Sequence, residues 1–293
     1  MSSPETPGPQ NVGEMQTMAR SFLQRKGIEE SRLEADLLVA HALKMDRLGM
    51  LLHLDKPLLP EEVDTARELL VRRSKREPVA YITGQREFYG RNFHVGSGAL
   101  IPRPESELFI DLVKQWGKDG LLPQKPRFFD LGTGSGCLAI SLSLEIPDAQ
   151  VGAVDLSPEA LEWACRNGAE LGSGVTFHEG DGFEVSRAQG PFDVWLSNPP
   201  YVRLDEGAAM EPEVRDYEPA QALFAPEGDP DHFVRRLLDD FPEVVAPGGF
   251  LLVELGHDQA ERALAMAAQR NLSARIESDL ARIPRLLIVG PRG

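Results

Sequence analysis

Phe128-Phe129-Asp130-Leu131-Gly132-Thr133-Gly134-Ser135-Gly136 is the stretch on which the fold turns. An apolar run of buried-strand length ends in an acid and three alternating glycines, and a helical pattern then continues from Cys137 to about Leu144. Glycines at a strand-to-helix turn let a ligand approach the backbone, and the helix N-terminus offers free N–H groups. This turn lacks the lysine of a phosphate-binding P-loop, and its G-x-G-x-G spacing differs from the dinucleotide fingerprint. Alone, it marks either a nucleotide-type site or a tight turn.

Apolar runs recur downstream at Val151–Val154, Val175–Phe177, Val194–Leu196 and Phe250–Val253, separated by helical stretches over 157–171 and 231–245. That alternation predicts a doubly wound α/β fold with a mainly parallel sheet. Leu286–Val289 follows Ala274–Glu277 closely enough to pair with it antiparallel. Upstream the texture differs. Residues 1–13 are rich in Pro, Gly and polar groups and read as a loose tail, and residues 14–77 read as a small helical unit. There Ser31-x-x-Glu34 has the form of a capping box, with Leu33, Leu37, Ala40 and Leu43 or Lys44 at helical spacing. Pro60 opens another helix, with Val63, Ala66 and Leu70 on one face. Residues 78–104 are expected to form a linking β-hairpin, its strands at Tyr81–Gly84 and Glu87–Val95, and 105–293 the α/β domain.

The chain carries 46 acidic and 31 basic side chains, a formal charge of −15. Residues 1–77 hold 12 basic and 13 acidic groups, net −1, and residues 78–293 hold 19 and 33, net −14. A surface of that sign is wrong for a protein held on phosphates. The early part ends in a cationic cluster, Arg72, Arg73, Lys75 and Arg76, read either as an electrostatic handle for a partner or as a solvated basic face. Cys137 and Cys165 are too few for a disulfide scaffold. The first residues lack a signal-peptide pattern and no apolar run nears the roughly 20 residues needed to span a bilayer, so a cytoplasmic protein without membrane partners is expected.

The second strand ends in Asp155-Leu156, where a carboxylate can accept both hydroxyls of a ribose. Capping of the helix near Ser157-Pro158 is the alternative, and the glycine turn tips the balance toward ribose. After the third strand, Asp181-Gly182-Phe183 offers an acid beside an aromatic for an adenine, or a plain turn. Asn198-Pro199-Pro200-Tyr201 follows the fourth strand. Its prolines remove two backbone donors and fix the chain. A side-chain oxygen and a carbonyl then stand in a rigid arrangement beside a ring, which suits a planar –NH2 group.

These elements, in this order, resemble the class I S-adenosylmethionine-dependent methyltransferases. Glu77-Pro78-Val79-Ala80-Tyr81-Ile82-Thr83-Gly84, Glu87-Phe88-Tyr89-Gly90, Leu100-Ile101-Pro102-Arg103-Pro104-Glu105-Ser106-Glu107, Glu218-Pro219, Gly249-x-x-x-x-Glu254-x-Gly256-x-x-Gln259 and Asp279-Leu280 with Arg285 are similar to one family among them. It is the protein-(glutamine-N5) methyltransferases of peptide-chain release factors, the HemK/PrmC family. The resemblance implies a seven-stranded Rossmann-like methyltransferase sheet, a helical N-terminal domain that helps grip the substrate, and transfer to the glutamine of a Gly-Gly-Gln loop in class 1 release factors. Asp130, Gly132, Thr133, Gly134, Ser135, Gly136, Asp155, Leu156, Asp181, Gly182, Phe183 and Asn198 are then expected at S-adenosyl-L-methionine, with S-adenosyl-L-homocysteine as product. Asn198, Pro199 and Tyr201 are expected to carry the transfer, and Asn198, Pro199, Pro200, Tyr201, Arg103 and Glu105 to meet the glutamine loop. Arg103 and Glu105 could equally be structural pairs. Many relatives carry a bulky aromatic where this chain has Gly182, and Phe183 is expected to replace it. Pro102-Arg103-Pro104-Glu105 favours the release-factor branch over a sister branch acting on a ribosomal protein. An adenine amino-methyltransferase on nucleic acid predicts a basic face, and a non-catalytic binder predicts a damaged acceptor loop; neither matches. His41, His53, His94, His178, His232 and His257 show no metal-ligand spacing, so no metal is expected. A monomer without direct nucleic-acid contact is expected.

Overall fold

A computed structural model describes residues 8–291, in two compact units. One comprises the chain up to Gly84 together with Pro212–Tyr217; the other comprises Gln85–Glu211 and Glu218–Gly293.

The first unit is helical: α1 (Val12–Arg25), α2 (Ser31–Ala42), α3 (Arg47–Leu52), α4 (Pro60–Ser74) and α5 (Val79–Thr83), with the Pro212–Tyr217 helix. Of the expected loose tail, residues 1–7 lie outside the described residues. The rest of it is held: Asn11 caps α1 by accepting from the Glu14 N–H, and it forms a β-bridge with Pro57. Val12, Met15, Ala19 and Leu23 recur at helical spacing and are buried.

The capping box at Ser31 does not form. Glu30 is the N-cap of α2 with no side-chain bond, Ser31 is buried, and Glu34 binds Arg73 instead. Nor is the expected inward stripe complete, since Leu33 and Leu37 face solvent while Ala40 and Leu43 are buried. Asp36 fixes that rotation. It is buried, and it accepts from Arg20 at 2.9 and 2.8 Å and from Gln16 at 3.0 Å, which turns Ala35, Leu38 and Val39 inward. The cationic cluster is not a free basic face either. Arg73 is 3% exposed and bonds both Glu34 and Glu213, Arg72 pairs with Glu77, and Arg76 donates to the Gly27 carbonyl.

Tyr81–Gly84 is not a strand. Pro78 caps α5 with φ −59°, and Gly84 ends it at φ 73°, a left-handed position that suits glycine. The hairpin instead pairs β1 (Gln85–Phe88) with β2 (Arg91–His94) across Tyr89 and Gly90, at φ 49° and 70°, the two positive angles of a tight hairpin turn.

The second unit continues with α6 (Glu107–Lys118), β3 (Arg127–Leu131), α7 (Cys137–Glu145), β4 (Gln150–Asp155), α8 (Pro158–Leu171), β5 (Thr176–Glu179), α9 (Gly182–Gln189) and β6 (Phe192–Ser197). The Pro212–Tyr217 helix is α10, followed by α11 (Ala220–Leu223), α12 (His232–Val244), β7 (Val245–Glu254), α13 (Ala260–Gln269), β8 (Ala274–Ser278) and β9 (Pro284–Val289). The seven-stranded sheet runs β5-β4-β3-β6-β7-β9-β8, parallel from β5 to β7, with β9 antiparallel to β7 and to β8; the mainly parallel order and the antiparallel β8–β9 pair are as the sequence predicts.

Both faces of the sheet are covered, which is why its strands read as continuous apolar runs. Phe128, Val194, Leu196, Leu252 and Ile288 enter one core; Phe129, Trp195, Leu251, Val253 and Leu287 enter the other. Strand order reverses around β3, and the chain leaves β3, β4 and β6 at the same sheet edge, the place where such folds bind ligands.

Candidate active site

Beyond β3 the three glycines do different work. Gly132, Gly134 and Gly136 all have positive φ, of 77°, 56° and 81°. A Cβ added at Gly132 or Gly134 would meet nothing within 4 Å, so the backbone there faces open space. At Gly136 it would lie 2.8 Å from Ile140 Cδ1 and 3.2 Å from Ala164 Cβ, so that glycine serves close packing of α7 against α8. The loop is fastened at several points. Thr133 Oγ1 donates to Asp130 Oδ2 at 2.7 Å, Gly132 N–H donates to the Val154 carbonyl, and Asn167 Nδ2 donates to the Ser135 carbonyl at 2.9 Å. Burial pushes the Asp130 carboxyl up to about 7. Asp130, Thr133 and Ser135 are all buried beneath the loop.

Asp155 stands at the end of β4. Its Oδ2 accepts from Gly134 N–H at 2.8 Å and its Oδ1 from Ser157 N–H at 2.9 Å. The cap of α8 is Ser157, whose hydroxyl accepts from Ala160 N–H, so Asp155 is free of that task. Burial raises the Asp155 carboxyl above its ordinary value, with the Ser157 and Gly134 amides opposing. The Leu156 amide opposes burial as a third backbone donor, and of the carboxylate's roughly four acceptor positions at least one stays open to a hydroxyl. Leu156 beside it is 71% exposed, an apolar side chain at the cavity's rim.

After β5, Asp181 caps α9, its Oδ1 accepting from Phe183 and Glu184 N–H. A side chain at Gly182 would place its Cβ 2.6 Å from Leu131 Cγ, so a bulky aromatic has no room there unless Leu131 moves. Phe183 is only 2% exposed; it packs on Trp195 and Phe233, and the Arg236 guanidinium lies 3.8 Å from its ring centroid. The ring borders the cavity with one face already covered by a cation.

At the end of β6, Asn198, Pro199 and Pro200 line the same cavity as Gly132 and Asp155, a space of about 290 Å³. Tyr201 packs against Gly256, where an added Cβ would lie 3.0 Å from the ring, and burial pushes its phenol up to about 12. Asn198 Nδ2 donates to Ser106 Oγ at 3.4 Å, and Ser106 Oγ donates to Glu254 Oε2 at 2.5 Å. Arg103 spends its charge on Glu218, at 2.6 Å, while the other Glu218 oxygen accepts from Ile101 N–H at 3.0 Å. Glu105 is exposed.

The cavity wall therefore brings together Gly132, Asp155, Leu156, Asp181, Gly182, Phe183, Asn198, Pro199 and Pro200. Asp130, Thr133, Gly134, Ser135, Gly136, Tyr201, Arg103 and Glu105 stand outside it, the first five as loop or scaffold. Sequence reading missed the α12 side, where His232, Phe233 and Arg236 line the cavity at one-turn spacing, and it assigned no task to Ser106 or Glu254. The one-turn spacing on a helix leading into β7 was the available signal for the former. Among the described residues no three His, Cys, Asp or Glu side chains gather in a way that could hold a metal ion, and no helix is long and apolar enough to cross a membrane.

Residues 14–84 match the PrmC N-terminal domain and residues 106–215 the methyltransferase small domain. The chain is 43% identical to the release factor glutamine methyltransferase of Geobacter sulfurreducens over 249 residues, 84% of either chain. It is 36% identical to that of Chlorobaculum tepidum over 282 residues, covering 94% of this chain and 95% of the relative. In fold it is similar to the hMettl16 catalytic domain solved in complex with MAT2A 3'UTR hairpin 1, with a TM-score of 0.54 at 15% identity, covering 78% of this chain and 80% of that one.

Proposed function

The chain belongs to the release factor glutamine methyltransferase family, and from that premise we propose how its residues perform the reaction. The protein methylates a release factor glutamine and uses S-adenosylmethionine to do so. The acceptor is the side-chain amide nitrogen of the glutamine in the Gly-Gly-Gln loop of class 1 release factors, met by a monomer in the cytoplasm. The observation that supports this reading most is that Asn198-Pro199-Pro200 and Asp155 share one cavity.

The residues fit the cofactor: the backbone at Gly132 and Gly134 faces open space, and the Asp155 carboxylate keeps acceptor capacity for a ribose hydroxyl. Leu156 offers an apolar face to the adenine, and Asp181 with Arg236 closes that end, since the Phe183 ring is already covered. When bound, S-adenosylmethionine supplies a methyl group on a sulfonium sulfur, and the sulfur departs as a thioether. An amide nitrogen is a weak nucleophile because its lone pair is shared with the carbonyl. The Asn198 Oδ1 and the Pro199 carbonyl accept its two N–H bonds and hold it in line. Positioning of this kind supplies several kcal/mol, with roughly 7–11 as the intramolecular limit. The same oxygens stabilise positive charge growing on nitrogen, whose proton then passes to water. Tyr201, seated on Gly256, walls the acceptor side. Arg103, bound to Glu218, shapes the loop entering the site.

The test is incubation with labelled S-adenosylmethionine and a release factor, beside a variant whose Gly-Gly-Gln glutamine is alanine. Label should enter only the unaltered factor. Equal labelling of both, or labelling of nucleic acid instead, would sink the reading. Asn198→Ala should abolish turnover while leaving cofactor affinity within a few-fold.

A further inference from the structure

Ser197 of β6 pairs with Val253 of β7 in parallel register, so the next residues, Asn198 just past β6 and Glu254 at the end of β7, where it still pairs with Leu286 of β9, lie side by side at the sheet edge. Ser106, in the turn that precedes α6, reaches both. Ser106 and Glu254 are each 3% exposed, so water does not compete for their polar atoms. A serine hydroxyl carries one proton. Here that proton is committed to Glu254 Oε2 at 2.5 Å, so Ser106 Oγ has only lone pairs left for its other neighbour, Asn198 Nδ2 at 3.4 Å. The two ends of a carboxamide have almost the same shape and opposite hydrogen-bonding character. Turned over, Asn198 would present a donor to a substrate –NH2 that needs an acceptor.

We propose that Ser106 and Glu254 are positioning residues that fix the orientation of the Asn198 carboxamide, so that its oxygen faces the incoming amide nitrogen. This rests on the reading of Asn198 as an acceptor of that nitrogen's hydrogens. The direction of the chain is set by the charge at its far end. An ionised Glu254 can only accept, which forces Ser106 to donate to it. A protonated Glu254 donates to Ser106 Oγ instead, releases the serine proton toward Asn198, and removes the preference for one orientation.

Burial pushes the Glu254 carboxyl up to about 7, with the Ser106 hydroxyl opposing. The groups facing Glu254 are Ser106, Arg103 and Glu105 from the segment before α6, Cys137 from α7, Tyr201 from the acceptor loop, and Arg285 from β9. Arg285 stays charged, and burial holds the Tyr201 phenol and the Cys137 thiol up to about 12, so both stay neutral. Turnover therefore falls as pH drops through about 7.

The experiment measures kcat and KM for the release factor from pH 5.5 to 9 at saturating S-adenosylmethionine, for the unaltered protein, Ser106→Ala and Ser106→Thr. Cofactor affinity and thermal unfolding are recorded for each. The unaltered protein should show kcat declining as pH falls through about 7 and levelling off about tenfold below its value at pH 8. At pH 8, Ser106→Ala should lose about tenfold in kcat, the rate equivalent of one hydrogen bond, with cofactor affinity within twofold and the acid limb gone. Ser106→Thr, which keeps the hydroxyl, should recover most of that loss. A flat profile for the unaltered protein between pH 6 and 8 overturns the inference, even if neither variant folds. So does an unchanged kcat in Ser106→Ala, or a loss that tracks cofactor affinity and unfolding. Absence of any turnover by the unaltered protein overturns the acceptor reading along with it; the other results overturn only the role given to Ser106 and Glu254.

Discussion

Replacing Asp155 with asparagine keeps the volume of the side chain and removes its charge. In the folded protein the two carboxylate oxygens accept from Gly134 N–H at 2.8 Å and Ser157 N–H at 2.9 Å. A carboxamide has one oxygen and one –NH2, so one of those amides must then face a donor. A hydrogen bond to a charged group contributes about 1.5–3 kcal/mol, and relief of the burial that raises this carboxyl offsets part of its loss, so the apo protein should lose about 0–2 kcal/mol of stability. On the ligand side, two ribose hydroxyls donating to one carboxylate would each lose a charged acceptor, and one of them would lose its acceptor altogether. A loss of roughly 2–3 kcal/mol corresponds to a 30- to 150-fold rise in dissociation constant. Isothermal titration with S-adenosylhomocysteine reads that change directly, and urea unfolding reads the stability term separately. At saturating cofactor, kcat should stay within about threefold, because Asp155 touches no reacting atom. If the dissociation constant stays within twofold while stability falls, Asp155 only ties the glycine loop to β4, and the ribose assignment is wrong.

Other perturbations probe separate parts of the structure. Gly134→Ala meets no neighbouring atom and should cost about 1–2 kcal/mol through its φ of 56°, weakening cofactor binding in titration; Gly136→Ala adds a 2.8 Å contact with Ile140 and should lower the melting temperature far more. Asp130→Asn tests the sign of a buried titration. A carboxyl raised from 3.8 to about 7 favours its protonated form in the folded state, so its contribution is full below pH 3.8 and is lost as pH rises through about 7. At pH 8 the variant should be more stable than the unaltered apo protein, by as much as roughly 4 kcal/mol, and at pH 4 the two should coincide; denaturant titrations at both values decide it. Arg73→Met leaves Glu34 and Glu213 without their guanidinium, each about a fifth exposed, and should destabilise the helical unit by about 3 kcal/mol in urea unfolding of the full chain.

The sheet and the ligand edge were legible in the sequence because the chemistry sits where strands end. The glycine turn, Asp155, Asp181 and Asn198 each follow an apolar run, and the parallel order brings the ends of those runs to one edge. Local pattern failed where a distant partner set the geometry. Glu34 reads as half of a capping box, yet Arg73, 39 residues away, takes its carboxylate. Leu33 and Leu37 look like a buried stripe, but the buried Asp36 and its bonds to Arg20 and Gln16 turn α2 so that they face out. Tyr81-Ile82-Thr83 has strand composition and becomes a helical turn because Pro78 and Gly84 bracket it. Phe183 sits beside the acid as expected, but Arg236, 53 residues on, occupies its ring face.

The charge distribution gains meaning from the same long-range pairs. A run such as Arg72–Arg76 looks like a basic handle, and the folded unit spends three of its four cations on Glu77, on Glu34 with Glu213, and on the Gly27 carbonyl. What remains for a partner is therefore not a strong positive field, and the catalytic part, net −14 over residues 78–293, supplies a negative one. A neutral glutamine amide is a substrate that such a surface does not repel. Its recognition has to come from directional acceptors, not from net charge. In the proposed mechanism Asn198 and Pro199 are acceptors of that kind, and the value of Asn198 depends on which way its amide is turned. On that proposal, selectivity for an –NH2 group rests on the polarity of a short buried chain of hydrogen bonds, whose far end is a carboxylate one strand away.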